Sequence, residues 1–120
     1  MKENIIKNKS FAFSLQIISL YKLLVQQNEY VISKQLLRSA TSIGANVCES
    51  EAAQSRPDFI SKLSIASKET RETEYWLLLL QESQLVKIDL TEYINQIVEI
   101  KKILTSIIKS TKENLITTSN

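Results

Sequence analysis

One glycine and one proline are all the backbone punctuation in 120 residues, and this scarcity narrows the available folds more than any other feature. Sheet proteins need turn residues at intervals of about 8–12 residues. Helices need none in their interiors, where glycine costs about 1 kcal/mol and proline about 3 kcal/mol relative to alanine. The chain therefore reads as all-α. Pro57 sits in Ser55-Arg56-Pro57-Asp58, where proline is tolerated in a first turn and Ser-x-x-Asp has the spacing of a capping box with Asp in place of Glu. Gly44 lies inside an apolar-periodic stretch, Leu36 to Glu49. Its helix-propensity cost makes sense if a neighbouring helix comes close. Ala40, Gly44, Cys48 and Ala52 recur every fourth residue and predict a small-residue flank for that approach.

Periodicity places four helices at about 3–27, 33–53, 56–83 and 90–115. On the first, Phe13, Ile17, Leu20 and Leu24 form one apolar stripe. Phe11, Leu15, Ile18 and Val25 form a second on nearly the opposite side. A helix of a monomeric bundle shows a single apolar face, so the second stripe points to a subunit contact, with packing under a terminus or loop as the alternative. Ser33 is the expected N-cap of the second helix, whose core face is Leu36, Ala40, Ile43 and Val47. The third helix carries Phe59, Leu63, Ala66, Thr70, Thr73, Leu77 and Leu80, its two threonines expected to bond carbonyls one turn back. The run Leu77 to Leu80 predicts enclosure on several sides. Asp89-Leu90-Thr91-Glu92 opens the fourth helix, and the tail from Thr117 is expected to fray. Short connectors imply a single domain, 1–120, folded as an antiparallel up-down-up-down four-helix bundle.

The composition removes most catalytic chemistry. With no histidine, neither a Ser-His-Asp triad nor a Glu-x-x-His di-iron site can be built, and a lone cysteine cannot make a thiolate zinc site. One glycine cannot supply a phosphate-cradling loop. No cofactor and no metal are expected. Cys48 reads as a small buried hydrophobe rather than a nucleophile. Glu69 and Glu72 could in principle serve as an acid–base or cation-binding pair, but surface ion pairing, such as Lys68 with Glu72, is the simpler reading. The longest apolar run, Tyr75 to Leu80, is too short to span a bilayer. With the single cysteine and an N-terminus lacking a signal-type apolar run, it predicts a cytoplasmic protein.

A net charge of +2 does not mark a strongly basic binder, yet it permits local patches. Basic residues gather at Lys2, Lys7 and Lys9, at Lys34, Arg38 and Arg56, and at Lys101, Lys102, Lys109 and Lys112. Spread among acids they read as solvated surface. Repeated around a ring they would form a band able to contact phosphates, with Tyr30 or Tyr75 as stacking platforms.

Leu37-Arg38-Ser39-Ala40-Thr41-Ser42-Ile43-Gly44-Ala45-Asn46, followed by Phe59-Ile60-Ser61-Lys62-Leu63-Ser64-Ile65-Ala66 and Glu72-Thr73-Glu74-Tyr75-Trp76-Leu77, resembles the four-helix bundle family named after 23S rRNA intervening-sequence proteins over nearly the whole chain. Cys48 and Ser50 depart from its more usual acidic or small residues, and Thr70 from its frequent alanine. The resemblance implies a small non-enzymatic bacterial protein that assembles as a homo-oligomer, a pentamer being favoured. Its relatives occur within intervening sequences of ribosomal RNA genes or as accessory subunits beside a reverse transcriptase in diversity-generating retroelements. RNA or DNA is thus one expected partner, and a reverse transcriptase or other protein another. The polar face Arg38, Ser42, Asn46 and Glu49 lies inside the family motif and is the first candidate contact surface, with Lys101 and Lys102 as candidate phosphate contacts. Phe11, Leu15, Ile18 and Val25 are the candidate oligomer interface. The combined expectation is a ring-forming, nucleic-acid-associated accessory or scaffold module without catalysis. The alternative is a purely structural oligomer or protein-binding adaptor.

Overall fold

The computed structural model describes the backbone of residues 5–119 and the side chains of residues 5–115. Four helices follow one another: α1 (Ile5–Gln26), α2 (Ile32–Glu51), α3 (Arg56–Ser83) and α4 (Thr91–Ser119). Each packs on its neighbour in the chain, and α1 closes the square against α4, while the diagonal pairs stay apart. Cross-contacts fix the directions. Lys7 reaches Glu51 while Ser10 lies against Gly44, so α1 and α2 run oppositely. Lys9 meets Glu99 and Gln27 meets Lys87, so α1 and α4 do too. The architecture is the all-α up-down four-helix bundle that the periodicity predicts.

The core joins the stripes expected on α1, α2 and α3 to one face of α4. Phe13, Ile17, Leu20 and Leu24 from α1 meet Leu36, Ala40, Ile43 and Val47 from α2. Leu63, Ala66, Leu77 and Leu80 from α3 and Ile97, Ile100 and Leu104 from α4 complete it, all buried. The two threonine hydroxyls inside it are satisfied. Thr70 Oγ1 donates to the Ser67 carbonyl at 2.6 Å, the back-bond expected of a helical threonine. Thr73 Oγ1 instead shares a hydrogen bond of 2.9 Å with Ser39 Oγ of α2, which pins α2 to α3. The run Leu77 to Leu80 is less enclosed than expected. Leu77 and Leu80 are buried, whereas Leu78 is exposed, because helical rotation turns it away from the single core that α3 faces.

The ends of the helices differ from the sequence expectation where two residues compete for one role. Ser33 does not cap α2: it lies within the helix, and its hydroxyl donates to the Glu29 carbonyl. The Glu29 carboxylate takes the capping role, accepting from the N–H groups of Val31, Ile32 and Ser33 at 3.2, 3.0 and 2.6 Å. A carboxylate there also complements the positive end of the helix dipole. Glu29→Ala is expected to lower stability by about 1–2 kcal/mol, with Glu29→Gln intermediate because it keeps one acceptor oxygen; urea denaturation measures both. For α3 the sequence signal holds: Ser55 Oγ accepts from the Asp58 N–H, and Pro57 occupies the first turn. α2 ends at Glu51 rather than 53, and α4 keeps helical backbone to Ser119, past Thr117. The expected start of helix 1 at residue 3 and the basic residue Lys2 lie outside the described residues.

The small-residue flank of α2 works over half its length. A Cβ built on Gly44 would stand 3.4 Å from Ser14 Oγ and 3.5 Å from the Ser10 carbonyl oxygen, so α1 comes close as expected. A four-residue repeat advances about 40° per step around a 3.6-residue helix. The stripe therefore spirals off the core, from buried Ala40 through half-buried Gly44 to exposed Cys48 and Ala52. Cys48 is thus a surface thiol, correcting the buried reading.

Candidate nucleic-acid interface

The bundle presents three surfaces that the sequence singles out. The first is the outer polar face of α2. Arg38 leans across to α3, where one guanidinium nitrogen donates to Glu69 Oε2 at 3.2 Å and the other to Glu72 Oε2. Glu72 Oε2 also accepts from Trp76 Nε1 at 3.0 Å. Glu72, expected to pair with Lys68, is instead engaged from α2 and from the next turn of its own helix. Asn46 Nδ2 donates to the Ser42 carbonyl at 2.9 Å, and Glu49 is exposed. One guanidinium between two carboxylates leaves this corner net negative. It is a built ion-pair network rather than an anion site.

That network shifts two groups. The Trp76 N–H and then the Arg38 guanidinium hold the Glu72 carboxyl below its ordinary range, and hydrogen bonds to Glu72 and Glu69 push Arg38 higher still. A depressed carboxyl pKa means that the folded state sheds a proton the unfolded state still holds. The stabilisation is present above the ordinary Glu value and is lost as pH falls through the folded one. Acidification is therefore expected to weaken the fold and release the Trp76 N–H. In the Glu72→Gln variant, Trp76 emission should lose most of its change across that acid window; an unaltered titration would remove the assignment.

The second surface is the groove between α1 and α2, lined by Lys7, Asn8, Phe11, Ser14, Thr41, Gly44, Ala45 and Cys48. Phe11 is 64% exposed, Leu15 53% and Ile18 39%, while Val25 is half-buried. The second stripe of α1 is therefore not covered by the described residues, apart from part of Val25.

The third surface is the groove between α3 and α4. Lys101 Nζ of α4 donates to Glu74 Oε1 of α3 at 2.6 Å and bridges the two helices. Around that bridge the groove is lined by Arg71, Lys101, Lys102, Thr105, Ser106 and Lys109. It continues along Ser64, Ser67, Lys68 and Arg71 beside Ile108. Five cationic side chains from two helices thus share a concave strip with Glu74. Lys101 and Lys102, named from sequence, both lie here, whereas Arg38 does not. Sequence reasoning missed Arg71 and Lys68, because on α3 alone they look like ordinary solvated charges. The available signal was their position on the crest opposite the Leu63–Leu77 seam, shared with Ser64 and Tyr75.

Among the described residues no three or more Cys, Asp and Glu side chains converge as a metal site would require. No helix there is long and apolar enough to cross a membrane.

Comparison with known proteins places the fold. None of the curated proteins matches. A solved structure from Bacteroides thetaiotaomicron, a protein of unknown function from the S23 ribosomal protein family, superposes with a TM-score of 0.86. It is 54% identical, and the match covers 91% of this chain and 99% of that one. The family model of the 23S rRNA-intervening sequence protein matches residues 2–106. With the four-helix architecture and most of the chain inside that match, the protein belongs to the 23S rRNA-intervening sequence protein family.

Proposed function

We propose that the protein is a non-enzymatic, ring-forming accessory or scaffold module of the cytoplasm that binds nucleic acid through the α3–α4 groove. The observation that carries this reading is the gathering of Lys68, Arg71, Lys101, Lys102 and Lys109 along one groove with Glu74 among them. A chain of net charge +2 exerts little long-range attraction. Affinity then comes from the groove repeated around an assembly, with Arg71, Lys102 and Lys109 on phosphates and weak sequence preference. The polar corner of Arg38, Ser42, Asn46 and Glu49, its cation already neutralised, suits a subunit or protein contact instead.

The test is a salt titration of binding to RNA and DNA oligonucleotides. Each phosphate contact releases condensed counterions, so log K should fall linearly with log salt. Joint reversal by Arg71→Glu and Lys102→Glu should lower the slope by about two for each groove engaged. Arg38→Glu should leave it unchanged. Absence of binding at low ionic strength would transfer the proposal to a protein-binding adaptor, for which the exposed α1 stripe is the favouring observation.

A further inference from the structure

We infer that the α3–α4 groove takes single-stranded rather than duplex nucleic acid, with Tyr75 as a base-stacking platform; this rests on the groove reading proposed above. Tyr75 follows Arg71 by one helical turn, about 6 Å along the axis and about 40° around it. It therefore shares the outer crest of α3 with Arg71, outside the groove lining itself but one turn from the cation best suited to grip a phosphate. The residue is 57% exposed. It is also held in place: its centroid lies 5.1 Å from that of Trp76 at an interplanar angle of 69°, and Trp76 is itself tied to Glu72 by its indole N–H.

Groove width and aromatic exposure favour the same occupant. Packed helices lie about 8–10 Å apart, so the trough between their crests admits one extended strand, whereas a duplex would rest on the rims. A duplex keeps its base faces stacked inside and can offer the groove only phosphates. An unpaired strand can lay its backbone along Arg71, Lys102 and Lys109 and turn a base onto Tyr75. Stacking of this kind tolerates any base, because every base has a π-face.

The experiment measures affinity by anisotropy with labelled oligo-U, oligo-dT and a duplex of equal length, alongside emission from Trp76, the one tryptophan in the chain. The full-length protein is compared with Tyr75→Ala, Tyr75→Phe and Arg71→Glu. Expected results are tighter binding of single strands than of duplex, a change in Trp76 emission on adding single strands, and a loss of about tenfold or more for Tyr75→Ala. Tyr75→Phe should restore binding, and Tyr75→Ala should leave the salt slope intact. If single strands bind the groove with the expected salt slope but Tyr75→Ala changes affinity by less than about twofold, the stacking role is overturned while the groove reading stands. Equal affinity for duplex overturns the single-strand assignment. If nothing binds at low salt, the groove reading itself falls, and this inference with it.

Discussion

Phe13→Ala is expected to destabilise the protein by about 3–5 kcal/mol, a large share of the roughly 5–15 kcal/mol that a domain of this size possesses. Phe13 is 1% exposed and lies in the core with Ile17 and Leu20. Truncation removes its buried apolar surface and leaves a cavity that four antiparallel helices can only partly close. Phe11, two residues earlier and 64% exposed, is the internal control. Because two positions on a helix differ by about 200°, Phe11→Ala should leave chain stability within about 0.5 kcal/mol. Urea denaturation followed by far-ultraviolet circular dichroism compares the two at protein concentrations low enough to dissociate any assembly, since Phe11 also belongs to the candidate subunit contact. Equal losses would mean that the two stripes of α1 are not distinguished as the structure places them.

Ile18→Glu is expected to convert the proposed ring to particles of the chain mass, 13.7 kDa, with helical content unchanged. Ile18 is 39% exposed and belongs with Phe11 and Leu15 to an apolar strip that no other part of the described chain covers. Burying a carboxylate in a subunit contact without a partner is prohibitive, whereas in an isolated subunit the same side chain points to water. Light scattering reads the mass and circular dichroism the fold. A wild-type monomer at micromolar concentration would remove the ring from the proposed function, and a variant that loses helix would show that the strip serves the fold instead.

Most of the fold was legible because it depends on local and periodic features. The scarcity of glycine and proline excluded sheets, Ser55 with Pro57 marked the start of α3, and the i, i+3, i+4 stripes named most of the buried apolar side chains of α1, α2 and α3. These follow from backbone propensity and helical rotation, which neighbouring residues determine by themselves. Even the second stripe of α1 was visible, since the same rotation that buries Phe13 must expose Phe11.

What remained open was every choice between two groups competing for one place. Ser33 and Glu29 both could serve the start of α2, and the carboxylate prevails because the connector lets it reach three N–H groups at once. Glu72 had Lys68 one turn away, yet Arg38 from another helix takes it. Cys48 belonged by spacing to a packed flank, but the advance of about 40° per step carried it out to solvent. The groove is the strongest case. Lys101 and Lys102 could be named from α4 alone, but Arg71 joins them only because the packing of α3 on α4 brings Glu74 beside Lys101. The order of residues along each helix determined its faces; the register between helices, fixed by long-range packing and cross-helix hydrogen bonds, decided which charges became neighbours.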